Sequence, residues 1–247
     1  YWSSDSTQNS NTYTYTLALH RMADSSVIFS LDNVSGYFLE TYHDSIPASF
    51  VVNYPDRPSE LRRFTDGQLI LQLAGKARWV VFSPDAAVTY IEYEDGHASE
   101  MRRTQNGTLL SSRDVRSDAT YSPGPGSLYF FVSYDDTGPS ELRHTQNGEV
   151  IETFPNETTV TFSPDDAALY FVAAYTGLCG ELRRTMDGSR IITLTGRVSN
   201  VSFSLDPAAT YFGVVYEDQP SEVRRSADGT LIQKLDVRAY LKVSPDL

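Results

Sequence analysis

The sequence has a single cysteine, Cys179, so no disulfide can form within the chain and no cysteine zinc site can be built. Basic residues are few: 20 Lys and Arg stand against 32 Asp and Glu, a net charge of −12. That balance argues against nucleic acid, whose phosphates need a basic stripe, and against an acidic lipid surface. Long apolar runs are missing too, so no segment reads as a membrane-spanning helix. There is no phosphate-cradling glycine loop. The four histidines, His20, His43, His97 and His144, are scattered without ligand spacing, so neither a metal nor another cofactor is expected. The sequence opens at Tyr1 with no signal-like segment. We expect a soluble, monomeric domain processed or excised from a longer chain, and its compartment is left unassigned.

What is present is a repeat. Glu60-Leu61-Arg62-Arg63 returns as Glu100-Met101-Arg102-Arg103, Glu141-Leu142-Arg143-His144, Glu181-Leu182-Arg183-Arg184 and Glu222-Val223-Arg224-Arg225, with a worn first copy at Ala18-Leu19-His20-Arg21. A period near forty residues marks a β-propeller, one blade per repeat. One copy shows the elements. Val160–Ser163 alternates as strand a, and Pro164-Asp165 turns the chain. Leu169–Tyr175 is the apolar strand b and Glu181–Thr185 is strand c. Asp187-Gly188 is a hairpin turn, and Ile191–Leu194 is strand d. The marker after strand a recurs at Asp44, Asp85, Gly124, Asp165, Asp206 and Asp246. Six markers predict an all-β, six-bladed propeller of four-stranded blades, a single domain over residues 1–247.

The ends fit one ring. The chain starts with a strand b at Tyr1-Trp2-Ser3, follows it with a Ser/Asn-rich loop over residues 6–12, and finishes with a strand a over residues 240–244. The two termini would complete one blade between them and remove the free sheet edges. An arbitrary cut from a longer array is the alternative.

Two stretches carry a family resemblance. Residues 191–204 resemble the d-to-a passage of WD-repeat propellers, and Phe82-Ser83-Pro84-Asp85 and Phe162-Ser163-Pro164-Asp165 resemble that family's turn. The same turns are similar to the TolB-like propeller repeat. The WD family's Gly-His is Gly196-Arg197 or Gly75-Lys76 here, and Arg-Arg-Thr stands where Trp-Asp would end strand c. The resemblance implies a propeller without that family's usual hydrogen-bond network. It also implies that the b–c and d–a loops share a face commonly used for binding.

Strand alternation puts Leu61 and Arg63 on one face and Glu60 and Arg62 on the other. If Leu61 packs between blades, Arg63, Arg103, Arg184, Arg225 and Arg21 point inward with it and need anions. The expected structural pairs are Asp44–Arg63, Asp85–Arg103, Asp165–Arg184, Asp206–Arg225 and Asp246–Arg21. The one blade with Gly124 in place of Asp is also the one with His144 in place of Arg.

The remaining signal is in the b–c loops. Strand b ends in Tyr54, Tyr93, Tyr134, Tyr175 or Tyr216, and acids follow at Asp56, Glu94, Asp95, Asp135, Asp136, Glu217 and Asp218. Such a ring of tyrosines and carboxylates suits a basic peptide or protein, through ion pairs and cation–π contact. We therefore expect an interaction or sensor module without catalysis of its own. The alternative is a hydrolase or lyase with its site at the channel mouth. Glycosylation sequons occur at Asn33, Asn106, Asn156 and Asn200.

Overall fold

The computed structural model describes residues 2–9, 12–39, 48–94, 96–113, 117–124, 126–134, 138–155, 157–236 and 242–243, and the chain divides into two compact units, Tyr1–Asp114 and Val115–Leu247. No helix occurs among the described residues, and every sheet is antiparallel.

The first unit holds three sheets. β1 (Trp2–Asn9), β2 (Thr12–His20) and β3 (Val27–Val34) form a three-stranded sheet. β4 (Gly36–Leu39), β5 (Ser49–Asn53), β6 (Glu60–Arg63) and β7 (Leu69–Gln72) form the next, paired in sequence order. β8 (Ala77–Phe82), β9 (Val88–Tyr93), β10 (Ser99–Arg103) and β11 (Leu109–Arg113) form the third. The second unit begins with β12 (Ser117–Tyr121), β13 (Tyr129–Tyr134), β14 (Ser140–His144) and β15 (Val150–Phe154). Its other seven strands are β16 (Thr158–Phe162), β17 (Tyr170–Tyr175), β18 (Cys179–Arg184), β19 (Arg190–Phe203), β20 (Tyr211–Tyr216), β21 (Glu222–Arg225) and β22 (Leu231–Lys234), in one sheet.

The a-b-c-d reading of the repeat holds, with two corrections. Strands d and a of the last two repeats are one continuous strand, β19. It pairs β18 through its first half and β20 through its second. The polar stretch over residues 6–12 is not a long loop either, because β1 runs to Asn9, whose register partner is Thr12. Thr and Ser tolerate extended backbone, and pairing satisfies their amides. Of the expected strand over residues 240–244 only Lys242 and Val243 are described, in no assigned strand, and the markers Asp44 and Asp246 lie outside the described residues.

Each central strand is buried on both faces. β5 reads Ser-Phe-Val-Val-Asn and is buried throughout. Its Phe50 and Val52 pack with Leu17 and Val34 of the preceding sheet. Val51, on the opposite face, packs with Leu61 and with Phe82, Ile91 and Tyr93 of the following one. The second unit repeats the layering. Phe131, Leu142 and Phe154 meet Phe162 and Phe171, and Val172 and Leu182 meet Phe203, Phe212 and Val214. Alternation therefore does not separate a wet face from a dry one, as it would in a sheet with solvent on one side.

Strands c and d are joined by a five-residue turn. Gly67, Gly107, Gly148, Gly188 and Gly229 all take left-handed φ, between 67° and 74°. The Asp or Asn before each glycine accepts the amide two residues on, as in Asp66 with Gln68 and Asp228 with Thr230. Just beyond the loop the ladder slips by one residue, always between the Leu, Met or Val and the first Arg of the motif. The extra residue is Ile70, Leu110, Ile151, Ile191 or Ile232, a bulge that increases local twist.

Candidate functional site

The same three side chains meet in five repeats. Tyr54 donates its hydroxyl proton to Glu60 Oε2 at 2.8 Å, and Arg62 Nε donates to the same oxygen at 2.7 Å. Arg62 Nη1 then reaches the carbonyl of Gly67 in the c–d turn at 2.5 Å. The series continues with Tyr93–Glu100–Arg102–Gly107, Tyr134–Glu141–Arg143–Gly148, Tyr175–Glu181–Arg183–Gly188 and Tyr216–Glu222–Arg224–Gly229. Register explains the meeting. Val52 pairs with Glu60, and Tyr54 and Arg62 lie two residues from those positions on the same face. Each chain runs from the end of strand b, across strand c, to the turn that starts strand d. In the second unit Arg183 also lies over the Phe154 ring, 5.0 Å from its centroid, so this face packs on the sheet before it.

Several of these groups are electrostatically shifted. Burial, reinforced by the hydrogen bond to its glutamate, raises the pKa of Tyr54, Tyr93 and Tyr175, and it pushes Tyr216 up to about 12. Burial opposes ionisation of Glu100, but hydrogen bonds from Arg102 and Tyr93 outweigh it and hold the carboxyl below its usual range. Glu181 is lowered against its burial in the same way, by Tyr175 and Arg183. Both shifts favour a charged carboxylate beside a protonated phenol, as a self-satisfied buried network requires.

This corrects the expected roles of the tyrosines. Tyr54, Tyr93, Tyr134 and Tyr216 are buried and Tyr175 is half-buried, so they form no exposed binding ring. It also corrects which arginine is buried. Arg62 keeps 16% of its side chain exposed and Arg63 keeps 50%. Arg63 does share the face of Leu61, but it sits at the strand end beside the turn. It pairs there with Asp66 at 3.3 Å, as Arg225 does with Asp228 at 3.2 Å and Arg21 with Asp24 at 3.8 Å.

The aspartates after strand a act locally. Asp165 accepts from Ser163 Oγ at 2.5 Å and from the amides of Ala167 and Leu169, so it does not seek Arg184. Asp206 accepts from Ser204, Ala208 and Thr210, and not from Arg225. Asp85 closes the same turn with Ser83 and Ala87, next to the strand that leads to Arg103. A carboxylate two residues from its donor orders less chain than a cross-strand pair would. Gly124 has its own cause. Its φ is 95°, and a Cβ there would lie 2.8 Å from the Asp166 carbonyl oxygen. His144 instead packs its ring on Tyr129, at 5.6 Å between centroids.

The exposed loop acids face cations of this chain's own d–a passages, Lys76 just before β8 and Arg197 within β19. Glu94 pairs with Lys76 at 3.1 Å, and Glu217 and Asp218 flank Arg197 at 3.4 and 3.7 Å. Asp56 accepts from Asn33 at 3.3 Å. Asp95, Asp135 and Asp136 lie outside the described residues. Cys179 and Leu178 are exposed at the uncharged loop. Among the described residues no group of His, Cys, Asp and Glu could hold a metal ion, and no helix is long and apolar enough to cross a membrane.

The comparisons bear on the fold. The chain matches KlHsv2 with loop 6CD replaced by a Gly-Ser linker at a TM-score of 0.51 and 12% identity, over 95% of this chain and 78% of that one. The fold is a β-propeller. The chain also matches dihydro-heme d1 dehydrogenase NirN in complex with DHE, at a TM-score of 0.49 and 11% identity, and it spans 51% of that protein's length against 89% of its own. No family model and no curated protein matches the chain.

The sequence reading missed the glutamate. Its signal was present, since a tyrosine ending strand b precedes each Glu-x-Arg by six or seven residues in all five copies.

Proposed function

We propose that the chain is a six-bladed propeller forming a single domain over residues 1–247. Among the described residues the first sheet has strands b, c and d but no strand a. Leu241-Lys242-Val243-Ser244-Pro245-Asp246 repeats the strand-a signature of Val160–Asp165, and it would complete that sheet. In this reading the propeller is a peptide- or protein-binding module with no catalysis of its own, and its partner is a basic segment. One observation carries it. The tyrosine–glutamate–arginine chain is the same in every complete copy, so it serves architecture, while the b–c and d–a loops differ from sheet to sheet. Those loops hold half-exposed carboxylates at Glu94, Glu217 and Asp218. A cationic partner would displace Lys76 and Arg197, so binding is weak and falls with salt. The tyrosines take no part in it.

The test is a screen of basic peptides at low and high salt. Neutralising Glu94, Asp95, Asp135 and Asp136 together should slow association more than it speeds dissociation. If that variant binds every hit as the parent does, the acidic loops serve solubility alone.

A further inference from the structure

The first unit contains a cleft of about 760 Å³ at the opposite end of the strands, where the a–b and c–d turns of its second and third sheets lie. Its polar lining is Ser49, Arg63, Thr65, Thr104, Gln105 and Asn106, and Ile70 and Ala86 give it an apolar floor. It arises from a break in the repeat. The first residue of strand b stands opposite the last residue of the Glu-Leu-Arg-Arg motif. In the second unit that residue is Tyr129, Tyr170 or Tyr211. In the first unit it is Ser49 or Val88. A ring is replaced by a hydroxymethyl group, and space opens beside Arg63. The Ser49 hydroxyl is buried, with the residue 1% exposed, and it has no hydrogen-bond partner among the described residues. A buried hydroxyl in that state favours a polar ligand.

We propose that this cleft binds a small hydroxyl-rich acid, of the class of an acidic monosaccharide. Its volume lies in the ordinary range of ligand pockets, roughly 300–1,000 Å³. Hydroxyls at Ser49 and Thr65 and amides at Gln105 and Asn106 both donate and accept, as a polyol requires, while the Thr104 hydroxyl is shared with Thr89 at 2.8 Å. The cleft has one guanidinium. Arg63 gives one contact to Asp66 at 3.3 Å and one to Gln68 at 2.6 Å, which orient the group and leave further donors of its planar fork for a carboxylate or phosphate. Asp66 offsets part of its charge, so affinity is modest. This site is independent of the loop face proposed for peptides.

The experiment titrates the full chain with glucuronate, glucose 6-phosphate and glucose, following backbone amides by NMR. Saturable shifts at Ser49, Thr104 and Asn106 are expected with at least one acid, and glucose should bind about tenfold more weakly, the loss of one charged contact. The stronger acid identifies carboxylate or phosphate as the group recognised. Ser49→Tyr restores the ring found in the second unit and should abolish the shifts without lowering the melting temperature. Arg63→Gln should reduce the acids to the level of glucose. If Ser49→Tyr does not fold, Gln105→Ala on the exposed turn replaces it and should weaken binding several-fold. No saturable shift with any of the three compounds overturns the site. So does binding unchanged in a folded Ser49→Tyr protein, or in Gln105→Ala where that replaces it. Equal binding of glucose and the acids overturns the assignment of an acid.

Discussion

Glu141 and Arg143 lie two residues apart on one strand and meet at 2.6 Å, with only 6% and 8% of their side chains exposed. Tyr134 donates to the same carboxylate at 2.9 Å. A pair so deeply buried is expensive to break from one side. Glu141→Ala should destabilise the protein by about 3–5 kcal/mol, measured by chemical denaturation at neutral pH. Arg225→Ala removes an exposed partner of Asp228 and should cost at most about 1 kcal/mol. Equal effects would show that the wrong arginine had been taken as structural.

The phenols predict an alkaline limit. Tyr54, Tyr93, Tyr175 and Tyr216 have pKa values above the ordinary tyrosine value of 10.0, with Tyr216 at about 12. Between pH 10 and 12 the native state thus holds protons that the unfolded chain has lost, so stability falls as pH rises. Phenolate absorbance and loss of β-sheet circular dichroism should rise together. Smooth titration of these tyrosines near pH 10 in a folded protein would contradict the network.

The acid limit has the opposite sign. Ser204 and Thr210 hold Asp206 at about 2, below the ordinary aspartate value of 3.8. Its contribution is complete above pH 3.8 and is lost as pH falls toward 2. Asp206→Asn should flatten that part of the stability profile and leave the alkaline limb unchanged.

Glycine positions separate strain from crowding. Gly229 has φ 72°, and a Cβ there would come within 2.5 Å of Ile192. Gly177 has the same φ with nothing within 4 Å. Gly177→Ala should cost roughly 1–2 kcal/mol, the left-handed penalty alone. Gly229→Ala should cost about 1–3 kcal/mol more through overpacking. The difference in denaturation midpoints reads out how closely consecutive sheets approach.

The repeat was legible because turn chemistry is local. An Asp or Asn before a glycine announces the c–d hairpin whatever surrounds it, and the Ser-x-Asp turn closes within its own few residues. The buried arginine was not legible by alternation. The rule that Leu61 faces inward and Glu60 outward presumes one dry face, and here Phe50, Val51 and Val52 are all fully buried. A polar residue in such a sheet is buried too, and it must find its partners on its own face. The tyrosines were misplaced for the same reason. They close the buried chain at the end of strand b and are not presented by the loop after it. The cleft beside Ser49 was visible in the sequence only as Ser49 and Val88 in a column that holds tyrosines in the next three copies.

The continuous strand β19 has a mechanical consequence. It supplies the outer strand of one repeat and the first strand of the next, so neither repeat can be peeled away without tearing the backbone pairing of the other. Under a stretching force the segment Thr158–Lys234 should therefore yield in one step. That step would release a contour of roughly 250 Å. The sheet β12–β15, which shares no strand with its neighbours, should give way as a separate, shorter event.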